Sequence, residues 1–293
     1  MNIHILRWER LRRFLSGVIP VALVLVMAAL VVACSEPAQT AGNDAPAPAS
    51  TGSAARGGGS VLDRVLERGV LRVGTTGDFQ PMTFINPDTN EYEGYYIDVV
   101  RALAADMDVE IEWVVTTWQD KVAGISAGRY DIATGASFNL GRARQGAFTH
   151  PIAGVGTVPL TTRENANRFT TWESLNDPSV RIAVTLGTTF DQQANDFFPE
   201  ARIVRPDSGA RDFQEVLSGR ADAWITSNIE ASDLVQRFPN VVIVPVEPRA
   251  TVPNGMIVDR NDPAWLHYVN SWIVMREYAG YFNDLAAEYG LEF

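Results

Sequence analysis

Ala127-Gly128-Arg129-Tyr130-Asp131-Ile132-Ala133 and Ser218-Gly219-Arg220-Ala221-Asp222-Ala223-Trp224 are one phrase written twice in a chain of 293 residues. Each copy follows a run with helical apolar spacing, over 120–127 and 212–217. Glycine ends that run in both, because helices commonly close on a left-handed residue and glycine adopts that conformation without steric cost. An Arg-x-Asp turn then leads into a short apolar run, 131–135 or 222–226, which reads as a buried strand. Around the first copy the pattern predicts a helix over 62–68, a strand over 70–75, a helix over 96–106 and a strand over 109–115. Around the second it predicts a strand over 181–185, a helix over 188–196, a strand over 203–205, a helix around 231–238 and a strand over 241–246, before helical spacing returns from Pro263. Strands alternating with helices predict an α/β fold with largely parallel sheets. Two such units predict a cleft between them, where small ligands bind.

The residues upstream have a different composition. Arg7, Arg10, Arg12 and Arg13 precede an apolar run over 18–33 that ends at Cys34, the pattern of an export signal. That run contains Pro20 and is shorter than the roughly 20 residues a spanning helix needs. Cys34 is the single cysteine, which excludes internal disulfides and a Cys-rich metal site. Residues 35–60 are rich in Ala, Pro, Gly, Ser and Thr and include Gly57-Gly58-Gly59, the composition of a flexible tether. Losing Arg7, Glu9, Arg10, Arg12 and Arg13 with the signal takes the formal charge from −11 to −14. Such acidity opposes binding to nucleic acid or to anionic membranes. His150 and His267 fall in no spaced metal or nucleophile motif, and no cofactor is expected.

Leu71-Arg72-Val73-Gly74-Thr75-Thr76-Gly77-Asp78-Phe79-Gln80-Pro81, followed by Gly94-Tyr95-Tyr96-Ile97-Asp98, resembles the opening of the family-3 extracellular solute-binding proteins. The resemblance implies a two-lobed periplasmic-binding-protein type II fold. Each lobe would be a mostly parallel sheet flanked by helices, with 61–162 and 249–293 as lobe 1, 163–248 as lobe 2, and two crossover strands as the hinge. Val31-Val32-Ala33-Cys34 resembles the lipobox of bacterial lipoproteins. That implies a signal peptide over 1–33, diacylglycerol on Cys34, and a tether over 34–60 holding an extracytoplasmic domain at the membrane. An ABC-type permease as partner and a monomeric state follow from the same resemblance. Thr75-Thr76-Gly77-Asp78, Thr116-Thr117-Trp118, Asn139-Leu140 with Arg142 and Arg144-Gln145, and Ile229-Glu230-Ala231 resemble the cyclohexadienyl dehydratase branch of this superfamily. Those exported enzymes convert prephenate to phenylpyruvate and arogenate to phenylalanine.

The resemblance also implies a site. Arg142, shortly after the Ser137-x-Asn139 turn, stands at the family's carboxylate-binding position, where a guanidinium fork fixes both distance and orientation. Gly187-Thr188-Thr189 is the second carboxylate-binding position, with backbone N–H groups and the Thr188 hydroxyl expected to point at the anion; helix capping is the competing role. Asp78, Phe79, Phe84 and Trp118 are expected to wall the pocket, Trp118 at the carboxyl edge of the sheet. Glu230 aligns with the general acid of the dehydratases, a role that needs a raised pKa; a solvated helix residue is the alternative. Thr157 stands where the branch has an active-site lysine, Ser227 where an aspartate holds the α-amino group, and Thr188 where the enzymes tend to have glycine. The substitutions point to a binder of a small carboxylate or atypical amino acid, with Glu230 or Asp78 taking over the ammonium. A dehydratase using Glu230 is the alternative, and a sensor built on the same domain is a third class.

Overall fold

The computed structural model describes residues 59–293 apart from 244 and 245. The expected signal, Cys34 and most of the tether lie outside the described residues. Ser60, assigned above to the tether, belongs to the folded domain. Its hydroxyl accepts from Leu62 N (3.2 Å) and donates to Asp262 (2.8 Å), and with Asp63 it forms a capping box at the first helix.

In chain order the elements are α1 (Val61–Arg68), β1 (Val70–Thr75), β2 (Asp78–Phe79), β3 (Thr83–Ile85), β4 (Tyr92–Glu93), α2 (Tyr95–Asp106), β5 (Glu110–Val115), α3 (Lys121–Ser126), β6 (Ile132–Ser137), α4 (Leu140–Ala143), β7 (Ala147–Phe148) and β8 (Ala153–Thr162). There follow β9 (Arg181–Ala183), α5 (Thr189–Phe197), β10 (Arg202–Val204), α6 (Gly209–Leu217), β11 (Ala223–Ser227), α7 (Asn228–Arg237), β12 (Val242–Ile243), β13 (Arg249–Val258), α8 (Pro263–Tyr278) and α9 (Tyr281–Glu288).

One sheet runs through both lobes in the order β5-β1-β6-β13-β8-β11-β9-β10. Each end is parallel: β1 pairs with β5 and β6, and β9 with β10 and β11. The long strands β8 and β13 join the two ends as antiparallel crossovers. β13 is irregular between Arg249 and Val252, and Ala250 there adopts φ 52°, a backbone that L-residues seldom take. The small antiparallel sheet β2-β3-β4 is absent from the sequence expectation, because strands of two or three residues are too short to show a period of two.

The repeated phrase does the same work twice. Gly128 and Gly219 both adopt φ 69° and end their helices. The Asp131 carboxylate accepts from Arg72 N (2.8 Å), from the Arg72 guanidinium (3.1 Å) and from Arg68. Asp222 accepts from Arg181 N (2.9 Å), from the Arg181 guanidinium (3.0 Å) and from Arg168 (3.0 Å). Each aspartate thus pins its own strand to the one that opens the lobe, β6 to β1 and β11 to β9. The first lobe's core gathers Leu71, Val73, Tyr95, Val99, Trp265 and Trp272, so α8 does pack back on this lobe. The second lobe splits its core between Leu160, Trp224 and Leu234 on one face and Phe169, Ile182 and Phe198 on the other, as a two-sided parallel sheet requires.

Candidate functional site

A cavity of about 30 Å³ lies where the carboxyl ends of the strands from both lobes converge, which is where open α/β sheets bind ligands. Trp118 follows β5, Ser137 ends β6, Thr188 and Thr189 follow β9, and Glu230 sits in the first turn of α7 after β11. The room suffices for a few water molecules at most, so an entering ligand must part the walls.

Arg142 forms one end of the cavity. It is buried, and its guanidinium donates to Ser137 O (3.1 Å), Gly187 O (3.2 Å) and, at 3.5 Å, Thr189 Oγ1. Among the described residues no carboxylate pairs with it, and burial pulls its pKa down to about 10. A buried guanidinium held by neutral oxygens can receive an anion, since its charge remains uncompensated.

The middle of the cavity is one indole. Trp118 Nε1 donates to Asp78 Oδ1 (3.1 Å), the Arg142 guanidinium lies 6.0 Å from the Trp118 ring, and Phe79 meets the same ring edge-on at 5.9 Å. Beneath the ring the ammonium of Lys121 stands 4.0 Å from its centroid. Lys121 is fully buried, and among the described residues its only hydrogen-bond partners are Thr134 O, Thr134 Oγ1 and Gly135 O at 3.3–3.5 Å. Burial, reinforced by the Arg142 charge and opposed by Asp78, brings its pKa down to about 7. Sequence reading missed this residue, although a signal existed: it is the single lysine among 24 basic residues.

The opposite end is acidic. Glu230 Oε2 accepts from Thr226 Oγ1 (2.6 Å), and burial pushes the Glu230 carboxyl well above its usual range, with Asp78, Asp212 and Asp233 adding to the rise. Glu230 is therefore not a solvated helix residue. Asp212, fully buried on α6, receives the Thr185 hydroxyl on one oxygen, while its Oδ1 finds no partner among the described residues. Burial raises it from 3.8 to about 8. A raised carboxyl keeps a proton in the folded state that the unfolded chain releases, so its stabilising contribution is complete below about pH 4 and disappears as pH rises towards 8. Relative to Asp212→Asn, the wild-type chain is expected to lose stability between pH 5 and 7 with a slope approaching 1.4 kcal/mol per pH unit. Denaturant unfolding at both pH values measures this; identical pH dependence in the two proteins would place Asp212 in the ordinary range.

Two expected site residues stand behind the cavity wall. Gly187 N–H donates to Asp191 Oδ2 (3.2 Å), so it is not free to meet an anion; its carbonyl instead meets Arg142. Its φ is 78°, and a Cβ there would come within 2.5 Å of the Gln119 side chain across the cleft. Ser227 is buried and caps α7, accepting from Glu230 N (2.9 Å). Thr188 lines the cavity, but its hydroxyl is taken by Thr185 O (2.7 Å) and Asp191 N (3.2 Å), the capping role. Thr157 lies in β8 and bonds Gln193 (2.6 Å). Asn254, which sequence reading did not single out, joins the lining from β13, held by the Tyr96 hydroxyl at 2.6 Å.

A profile described as "Bacterial extracellular solute-binding proteins, family 3" matches residues 71–292. The chain belongs to that family. This solute-binding protein is 33% identical over 223 residues to the cyclohexadienyl dehydratase of Pseudomonas aeruginosa, covering 75% of this chain and 82% of the relative. It is 23% identical over 230 residues to the L-cystine-binding protein TcyJ of Escherichia coli, covering 78% and 85%. Among solved structures, the ancestral amino acid-binding protein AncCDT-1, a precursor of cyclohexadienyl dehydratase, superposes with a TM-score of 0.74 at 35% identity, covering 78% of this chain and 99% of that one. Family-3 members thus include both binders and an enzyme, on one two-lobed fold.

Proposed function

We propose that this protein is an extracytoplasmic lipoprotein, anchored through Cys34, that closes around an α-amino acid and presents it to an ABC-type permease. The observation that carries the reading is charge placement: Arg142 brings a fork with no carboxylate partner among the described residues to within 6.0 Å of the Trp118 ring, and Asp78, bonded to that indole, and Glu230 bring carboxyls to the same cavity. An α-carboxylate on the first and an α-ammonium on the second satisfy both groups, which compensates for the aspartate that Ser227 replaces. The ammonium would also draw the raised Glu230 towards its charged form, so binding is coupled to proton release. Relatives named as amino-acid ABC transporter-binding and L-cystine-binding proteins support the ligand class and the partner.

One observation favours a second reading, dehydration of prephenate or arogenate. One requirement of a general acid is a carboxyl whose pKa is raised, and burial raises that of Glu230. Against it, Thr157 supplies no cation for a second carboxylate, being turned to Gln193. Calorimetry with amino acids, beside absorbance of phenylpyruvate from prephenate, separates the two. Amino-acid binding with no turnover is expected; turnover that disappears in Glu230→Gln would make the protein a dehydratase.

A further inference from the structure

A second cavity, of about 330 Å³, borders the first and shares Asp78, Gly209 and Glu230 with it. One wall is the β2–β3 hairpin of the first lobe, with Phe84 and Ile85; the other is the α6–α7 face of the second lobe, with Phe213, Leu234 and Phe238. Gly209 lies on the wall common to the two spaces. A Cβ on it would stand 3.3 Å from Asp78 O, 3.3 Å from Glu230 Oε1 and 3.5 Å from Trp224 Cζ2, so a larger side chain fills the space between those groups.

The chemistry of the outer space is distinct from that of the inner. Its Asp233 is neutralised by Arg237 (2.9 Å), which also reaches Gln80 Oε1 (2.9 Å) across the lobes. The remaining wall is dominated by aromatic and aliphatic side chains, and the buried Trp224 indole N–H in it has no acceptor among the described residues. The outer space is about ten times the size of the inner one, about 330 Å³ against about 30 Å³.

We propose that the outer cavity is a side-chain subsite reached past Gly209, and that it selects amino acids with bulky, uncharged, aromatic side chains. The inference rests on the amino-acid reading above: with carboxylate and ammonium held in the inner cavity, the side chain of the ligand passes Gly209. Burial of a ring against Phe84, Phe213 and Phe238 supplies the discrimination.

Isothermal titration of the full chain with L-alanine, L-phenylalanine and L-arginine tests it. L-Phenylalanine is expected to bind at least about tenfold more tightly than either of the others. In Gly209→Val, which fills the space beside Asp78 and Glu230, and in Phe84→Asp, which puts a charge on the half-buried wall of the outer space, the phenylalanine-to-alanine affinity ratio falls towards one. Equal affinity for alanine and phenylalanine, tighter binding of arginine, or an unchanged ratio in both variants would overturn the subsite while leaving the amino-acid reading intact. Binding of none of the three would overturn both.

Discussion

Arg142→Ala is expected to weaken ligand binding by roughly 30-fold to several thousandfold, the effect of removing one partner from a buried, hydrogen-bonded charge pair. Arg142 is already desolvated, its pKa drawn down to about 10, and its fork is oriented by Ser137 O and Gly187 O before any ligand arrives. The cost of removing its charge from water is therefore met in the free protein, and most of the carboxylate's attraction appears as affinity. Arg142→Lys is expected to recover little, because a point charge cannot reproduce two parallel hydrogen bonds. Titration calorimetry, with circular dichroism to verify the fold, reads both. Affinity within threefold of wild type in Arg142→Ala would show that the carboxylate goes elsewhere.

The second large effect concerns stability. Asp131→Ala should cost about 3–5 kcal/mol, since it leaves the guanidinium groups of Arg68 and Arg72 and the Arg72 N–H without their common acceptor. Asp222→Ala removes the matching acceptor of Arg168 and Arg181. The Asp131 side chain is 2% exposed and that of Asp222 9%, so the first-lobe substitution is expected to be the costlier. Denaturant unfolding measures each. A loss under about 1 kcal/mol in both would mean that the repeated aspartates act as surface ion pairs, whose usual worth is that small.

The same repeated phrase shows how far a sequence can be read. Helix, glycine stop and strand are local, so Gly128 and Gly219 were legible from spacing alone, and two lobes followed. The partners of Asp131 and Asp222 were not, because Arg72 and Arg181 lie 59 and 41 positions away and spacing carries no information over that distance. The site divides along similar lines. Arg142, Asp78, Trp118 and Glu230 were legible through resemblance, and the structure brings all four to one cavity. Gly187 and Ser227 were placed there too, but their polar groups are used to start α5 and α7, a competition that helix N-termini regularly impose. Asp212 and Lys121 fall within runs of helical apolar spacing, and although Lys121 stands out as the single lysine, it is the tertiary packing that makes them a buried acid at one end of the site and a buried amine under its indole. Gly209 carries no sequence signal at all, since its importance is a distance to Asp78 and Glu230.

The cleft is expected to require both a carboxylate and an ammonium on one ligand. Titration calorimetry with L-phenylalanine, its decarboxylated amine and its deaminated acid tests it most directly. The amino acid is expected to bind most tightly, and each truncated ligand to lose at least about tenfold in affinity, the amine most of all. An amine without a carboxylate that binds as tightly as the amino acid would contradict the role assigned to Arg142 and with it the proposed function.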